Sequence, residues 1–105
     1  MSISARYREL VAETENLQRR LSREQDEGLV RFANRLSRAV VTLAELREGV
    51  GEIPQMHLER ELTPVLLRAH NQIDRVRVEL EEQAADWAGR LWNLQQTIYR
   101  LLNDL

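Results

Sequence analysis

Residues 62–105 read LTPVLLRAHNQIDRVRVELEEQAADWAGRLWNLQQTIYRLLNDL. Leu62, Leu66, Ala69, Ile73, Val76, Leu80, Ala84, Trp87, Leu91, Leu94, Ile98, Leu101 and Leu105 recur here at spacings of three and four. That spacing lines one face of an α-helix with apolar groups, and such a stripe requires another helix against it. A second stripe precedes it: Leu29, Phe32, Leu36, Ala39, Leu43, Leu46, Val50 and Ile53. The segment REGVGEIPQ, residues 47–55, separates the two. Gly49 or Gly51 suits a left-handed helix C-cap, and Pro54 cannot continue a helix from Ile53. The two stripes are therefore expected to pack antiparallel.

Upstream, Ile3, Tyr7, Leu10, Thr14, Leu17 and Leu21 form a shorter stripe with Ser4 as a candidate N-cap. SREQDEG, residues 22–28, breaks its register. Ser22 followed by Gln25 resembles a capping box, and a continuous helix with a bend is the competing expectation, slightly favoured. The chain is thus expected to form one domain, 1–105. Its elements are a helix over 4–21, a bend near 22–28, a helix over 27–48, a turn over 49–55, a short helix over 56–62, and a helix over 64–103. Thr63-Pro64 opens the last as N-cap and first-turn proline. At about 1.5 Å per residue that last helix spans about 60 Å. The fold class is all-α: a long antiparallel helical hairpin or three-helix bundle with coiled-coil-like seams. Two helices bury only one narrow seam, so dimerisation into a four-helix-type bundle is expected.

Composition narrows the function classes. The 105 residues carry a net charge of −2, which gives no overall attraction to polyanions or anionic lipid. There is no cysteine, which excludes disulfides, thiolate metal sites and cysteine nucleophiles. All 15 basic residues are arginine. This absence of lysine is read first as the codon bias of a GC-rich genome, and it excludes lysine Schiff-base and Walker-type phosphate chemistry. The start, MSISARYREL, has no apolar signal-peptide core, and no run reaches the roughly 18 apolar residues of a membrane span. A bacterial cytoplasmic protein is the expectation.

Catalytic and metal motifs do not emerge. His57 and His70 lack the glutamate three residues before them that a di-iron bundle requires. The paired carboxylates Glu13/Glu15, Glu59/Glu61 and Glu79/Glu81/Glu82 alternate with arginines at helical spacing, as solvated ion pairs do. No enzyme activity, cofactor or metal is expected. Arg31, Arg35 and Arg38 form the best basic stripe, a candidate nucleic-acid contact without any recognised binding motif.

The C-terminal third carries more apolar surface than a hairpin uses. Val78, Ala85, Trp92 and Tyr99 add a second line at seven-residue spacing, with Leu102 beside it. Gly89 is read as permitting close helix packing beside Trp92. Trp87, Leu91, Trp92, Leu94, Ile98, Tyr99 and Leu102 are the candidate partner-binding anchors, with Arg90 and Arg100 as rim charges. The expected function is a non-enzymatic protein-interaction module, a small regulator (anti-activator or inhibitor) or chaperone. It binds a target protein through apolar helix faces and blocks its assembly or activity. A structural coiled-coil subunit of a larger complex, and a nucleic-acid binder using the arginine row, are the alternatives.

Overall fold

A computed structural model describes residues 1–105. Four helices follow in order: α1 (Ile3–Ser22), α2 (Glu27–Ala44), α3 (Leu58–Gln83) and α4 (Ala85–Asn103). Two short 3-10 turns, Val50–Glu52 and Gln55–His57, join α2 to α3. Each helix runs antiparallel to its neighbours, as cross-helix partners show. Tyr7 meets Leu43 and Gln18 meets Ala33 between α1 and α2. Arg35 meets Glu79 and Arg68 meets Glu45 between α2 and α3. Arg77 meets Gln95 and His70 meets Tyr99 between α3 and α4. Arg6 meets Asp104, and Trp87 meets Glu24, between α4 and α1. The result is an up-down-up-down bundle closed within one chain, where the periodicity predicted two or three helices.

The largest departure is at Ala84. The helix expected over 64–103 is two helices, because Ala84 leaves helical geometry with φ −153° and ψ 76°. Its N–H still bonds the Leu80 carbonyl at 2.7 Å, and its carbonyl accepts from the Ala88 N–H at 3.0 Å. One residue thus closes α3 and opens α4. No proline or glycine marks the reversal. The driving force is burial: folding back places Val76 and Leu80 in one core with Leu91 and Leu94, all buried. A straight rod of about 60 Å would leave half of that stripe facing water. The molecule is instead 45 Å along its longest axis.

Other boundaries shift for local reasons. α1 and α2 are separate helices. Asp26, not Ser22, caps α2 by accepting from the Gly28 N–H at 2.8 Å. Ser2, not Ser4, caps α1 through the Ala5 N–H at 3.1 Å. α2 ends at Ala44 and not at 48, and no glycine has positive φ, so neither Gly49 nor Gly51 is a left-handed cap. Carbonyls of the turn that follows are met from outside: Arg8 on α1 donates to the Arg47 carbonyl at 3.0 Å and the Glu48 carbonyl at 3.3 Å. The short helix over 56–62 is absorbed into α3, which starts at Leu58 and runs through Pro64. Pro64 lies on the exposed side, where water can satisfy the carbonyl that loses its amide partner.

All three stripes turn inward. One cluster of 25 buried apolar residues draws on every helix, and Val50 pins the α2–α3 connection to it. Two buried hydroxyls are tied down: that of Tyr7 donates to the Leu43 carbonyl, and that of Thr14 to the Leu10 carbonyl. No helix is long and apolar enough to cross a membrane.

Candidate protein-docking face on α3 and α4

The second apolar line of the C-terminal third does not join the core. Val78, Ala85, Trp92 and Tyr99 all lie on the outside of the α3–α4 hairpin, with Trp92 47% and Tyr99 43% exposed. Closure of the bundle by four helices of one chain leaves this line without a partner. Apolar groups this large on a surface are the ones that call for explanation.

Both exposed rings are held from α3. The Arg77 guanidinium lies 5.1 Å from the Trp92 ring centroid. The His70 ring lies 4.8 Å from that of Tyr99, tilted by 59°. Between these pairs runs a polar seam. Arg77 Nε donates to Gln95 Oε1 at 2.7 Å, Nη2 donates to Asp74 Oδ1 at 2.8 Å, and Nη1 donates to Glu81. Gln95, fully buried, donates through Nε2 to Asp74 Oδ1 at 3.0 Å and lies 3.2 Å from His70 Nε2. Hydrogen bonds from Gln95 and Arg77 hold the Asp74 carboxyl below its usual range, against a smaller desolvation effect. The members bond one another, so the seam holds the two rings against α3.

Beside Trp92 is a shallow recess of about 410 Å³, lined by Arg77, Glu81, Ala85, Ala88, Gly89 and Trp92. Three small residues on one turn of α4 make its floor. Gly89 is exposed, and a Cβ there would meet nothing within 4 Å. It does not serve close helix packing, as expected from sequence, but leaves an open hollow.

The seven sequence-predicted anchors therefore divide. Trp92 and Tyr99 stand on the surface and Leu102 is partly buried, whereas Trp87, Leu91, Leu94 and Ile98 are core residues. Four of the seven cannot anchor a partner on the closed bundle, because a core position and a docking position share the same helical spacing. Trp87 has its own structural work: Nε1 donates to Glu24 at 3.0 Å, and Arg90 stacks 4.5 Å from its ring centroid. Arg90 and Arg100 do not rim the Trp92–Tyr99 line. They line a groove of about 380 Å³ between α1 and α4, with Glu13, Arg20 and neighbouring amides. Sequence reasoning missed His70, Asp74, Arg77 and Gln95 as a unit. Two signals are visible in the sequence: His70 and Asp74 share a helix face at a spacing of four, and Gln95, four residues after Leu91 and three before Ile98, is an amide inside an apolar stripe.

The arginine row is divided as well. Arg35 pairs with Glu79 and lies 5.5 Å from the Phe32 ring, while Arg35 and Arg38 border a small recess shared with α3. Compared with protein-family models, curated proteins and solved structures, the chain matches none.

Proposed function

We propose that this chain is a non-enzymatic protein-interaction module whose docking face is the outside of the α3–α4 hairpin. The observation that carries the reading is the fixing of two half-exposed aromatic rings, Trp92 by Arg77 and Tyr99 by His70, beside an open recess. Large rings already immobilised by the fold lose little entropy on binding, and Trp and Tyr are frequent anchors of interfaces. The partner presents an amphipathic helix: one apolar side chain enters the recess at Gly89, and the next turns lie along Trp92 and Tyr99. Asp74 and Glu81 share one guanidinium, so this face has a surplus negative charge that favours a basic flank on the partner. Covering such a helix blocks whatever assembly it would otherwise enter, which is the action of a small regulator or chaperone in a bacterial cytoplasm. A second copy of the chain is the competing occupant.

The test compares wild type with the Trp92→Ala/Tyr99→Ala double variant in capture from lysate of the source organism. The double variant keeps its helical circular dichroism, and a discrete protein retained by wild type is lost. Equal retention by both proteins contradicts the assignment. A concentration-dependent dimer of wild type that the double variant abolishes, with no other protein retained, assigns the face to self-association instead.

A further inference from the structure

We infer that the recess between α2 and α3 is a binding site for a small phosphate monoester, held by Arg35, Arg38 and Arg75. This inference rests on a different face from the docking surface. The recess holds about 230 Å³ and is lined by Arg35, Arg38, Gln72, Arg75 and Val76. Three guanidiniums from two helices border it, and no carboxylate is among its lining residues. In a chain with 17 acidic residues against 15 arginines, that local imbalance is unusual. Arg38 and Arg75 make no ion pair, whereas Arg35 is anchored by Glu79 and by the Phe32 ring. One fixed fork and two free ones can close on a tetrahedral oxyanion, which guanidinium geometry matches through paired N–H donors. Glu79 compensates Arg35, and a dianion balances the two guanidiniums that remain unpaired.

A second observation comes from Gln72. Its Oε1 is buried and has no hydrogen-bond partner, although the residue lines this same recess. Buried acceptors of this kind are almost always paired. A rotation of the Gln72 amide turns that oxygen into the recess, where a ligand hydroxyl next to the phosphoryl group supplies the missing donor while the arginines take the phosphate. Size and flanking charge exclude a longer polyanion. The recess is below the roughly 300–1,000 Å³ of typical small-molecule pockets. Along the α2–α3 seam, Glu79 stands at one side and Glu45 further along, each paired with an arginine, so a nucleic-acid backbone running past the cluster meets carboxylates.

The experiment is a calorimetric titration of the full chain with glycerol 3-phosphate and with inorganic phosphate. The expected result is one saturable site, with glycerol 3-phosphate the tighter ligand. Arg38→Gln/Arg75→Gln weakens binding by about tenfold or more, while Arg20→Gln/Arg100→Gln, in the α1–α4 groove, leaves it unchanged. Gln72→Leu removes the preference for glycerol 3-phosphate but keeps phosphate binding. All variants are checked for unchanged helical circular dichroism, and since Arg38, Arg75, Arg20 and Arg100 are exposed, folding is expected to survive. Absence of saturable binding up to about 10 mM overturns the site, since a few millimolar is already a weak ligand. Equal loss in the Arg20/Arg100 variant reduces the effect to general charge and also overturns it. Tighter binding of a short single-stranded oligonucleotide through Arg38 and Arg75 would show an extended polyanion surface, contrary to the inference.

Discussion

Arg77 on α3 lies over the ring of Trp92 on α4, with its guanidinium 5.1 Å from the ring centroid. The same guanidinium donates to Gln95, Asp74 and Glu81. An exposed aromatic ring is therefore tied, through one arginine, to a buried amide and two carboxylates. The relationship makes the surface ring a fixed part of the fold.

That link has an acid limit. Asp74 is held below the ordinary aspartate value by its hydrogen bonds to Gln95 and Arg77. Just below the ordinary pKa of about 3.9, the unfolded chain takes up a proton that the folded chain refuses. The stabilisation is thus present above that pH and lost as pH falls through the folded value. Because the Asp74 side chain is 42% exposed, the effect is modest in stability but local in position. The indole N–H resonance of Trp92 is expected to shift with this titration in wild type and to shift less in Asp74→Asn, where only Glu81 still links Arg77 to acid. A Trp92 resonance that titrates identically in both proteins would contradict the coupling.

Gly89 gives a stability prediction. It sits inside α4 and a Cβ there meets nothing within 4 Å. Gly89→Ala removes the helix penalty of glycine and is expected to raise stability by about 0.5–1 kcal/mol, measured by denaturant unfolding. Gly89→Trp fills the recess, keeps the fold, and is expected to abolish partner capture. Destabilisation by alanine would show that the hollow is packed in solution.

Tyr7 tests the core. Its hydroxyl donates to the Leu43 carbonyl between α1 and α2, and the residue is fully buried. Tyr7→Phe leaves that carbonyl with only the Leu46 N–H, at 3.4 Å, and is expected to cost about 0.5–1.5 kcal/mol. Burial pushes the phenol above its ordinary range, Glu45 adds to the shift and Arg47 opposes it. In the unfolded chain the phenol ionises near about pH 10 while the folded one stays protonated. Stability from Tyr7 is therefore complete below that pH and lost as pH rises toward the folded value. The difference between wild type and Tyr7→Phe should narrow above about pH 10, and a constant difference would contradict the burial argument.

Much of the fold was legible because periodicity reports which residues are buried. Leu36, Leu43, Leu66, Ile73, Leu91 and Ile98 were all assigned to seams, and all are fully buried. The helix count was not legible, because the α3–α4 reversal uses one alanine and no breaker. Two successive spacings of four, Val76–Leu80–Ala84, in a stripe that otherwise alternates three and four, are its only trace in the sequence. Helix ends were misplaced where caps came from distant residues, as Arg8 does beyond α2. At the docking face, the second apolar line was visible in sequence, but separating Trp92 and Tyr99 from Leu91 and Ile98 needs the bundle. The Arg35–Arg38–Arg75 grouping depends on the α2–α3 register, which no local pattern encodes.

The central claim is that the outside of the α3–α4 hairpin contacts another protein. The direct measurement places a photo-crosslinking amino acid at Ala85, on the rim of the recess, or at Val41, exposed on α2, and irradiates in cells. The account predicts one discrete cross-linked protein from position 85 and none from position 41. Cross-links from position 41 alone, or from position 85 to nothing but a second copy of this chain, would contradict it.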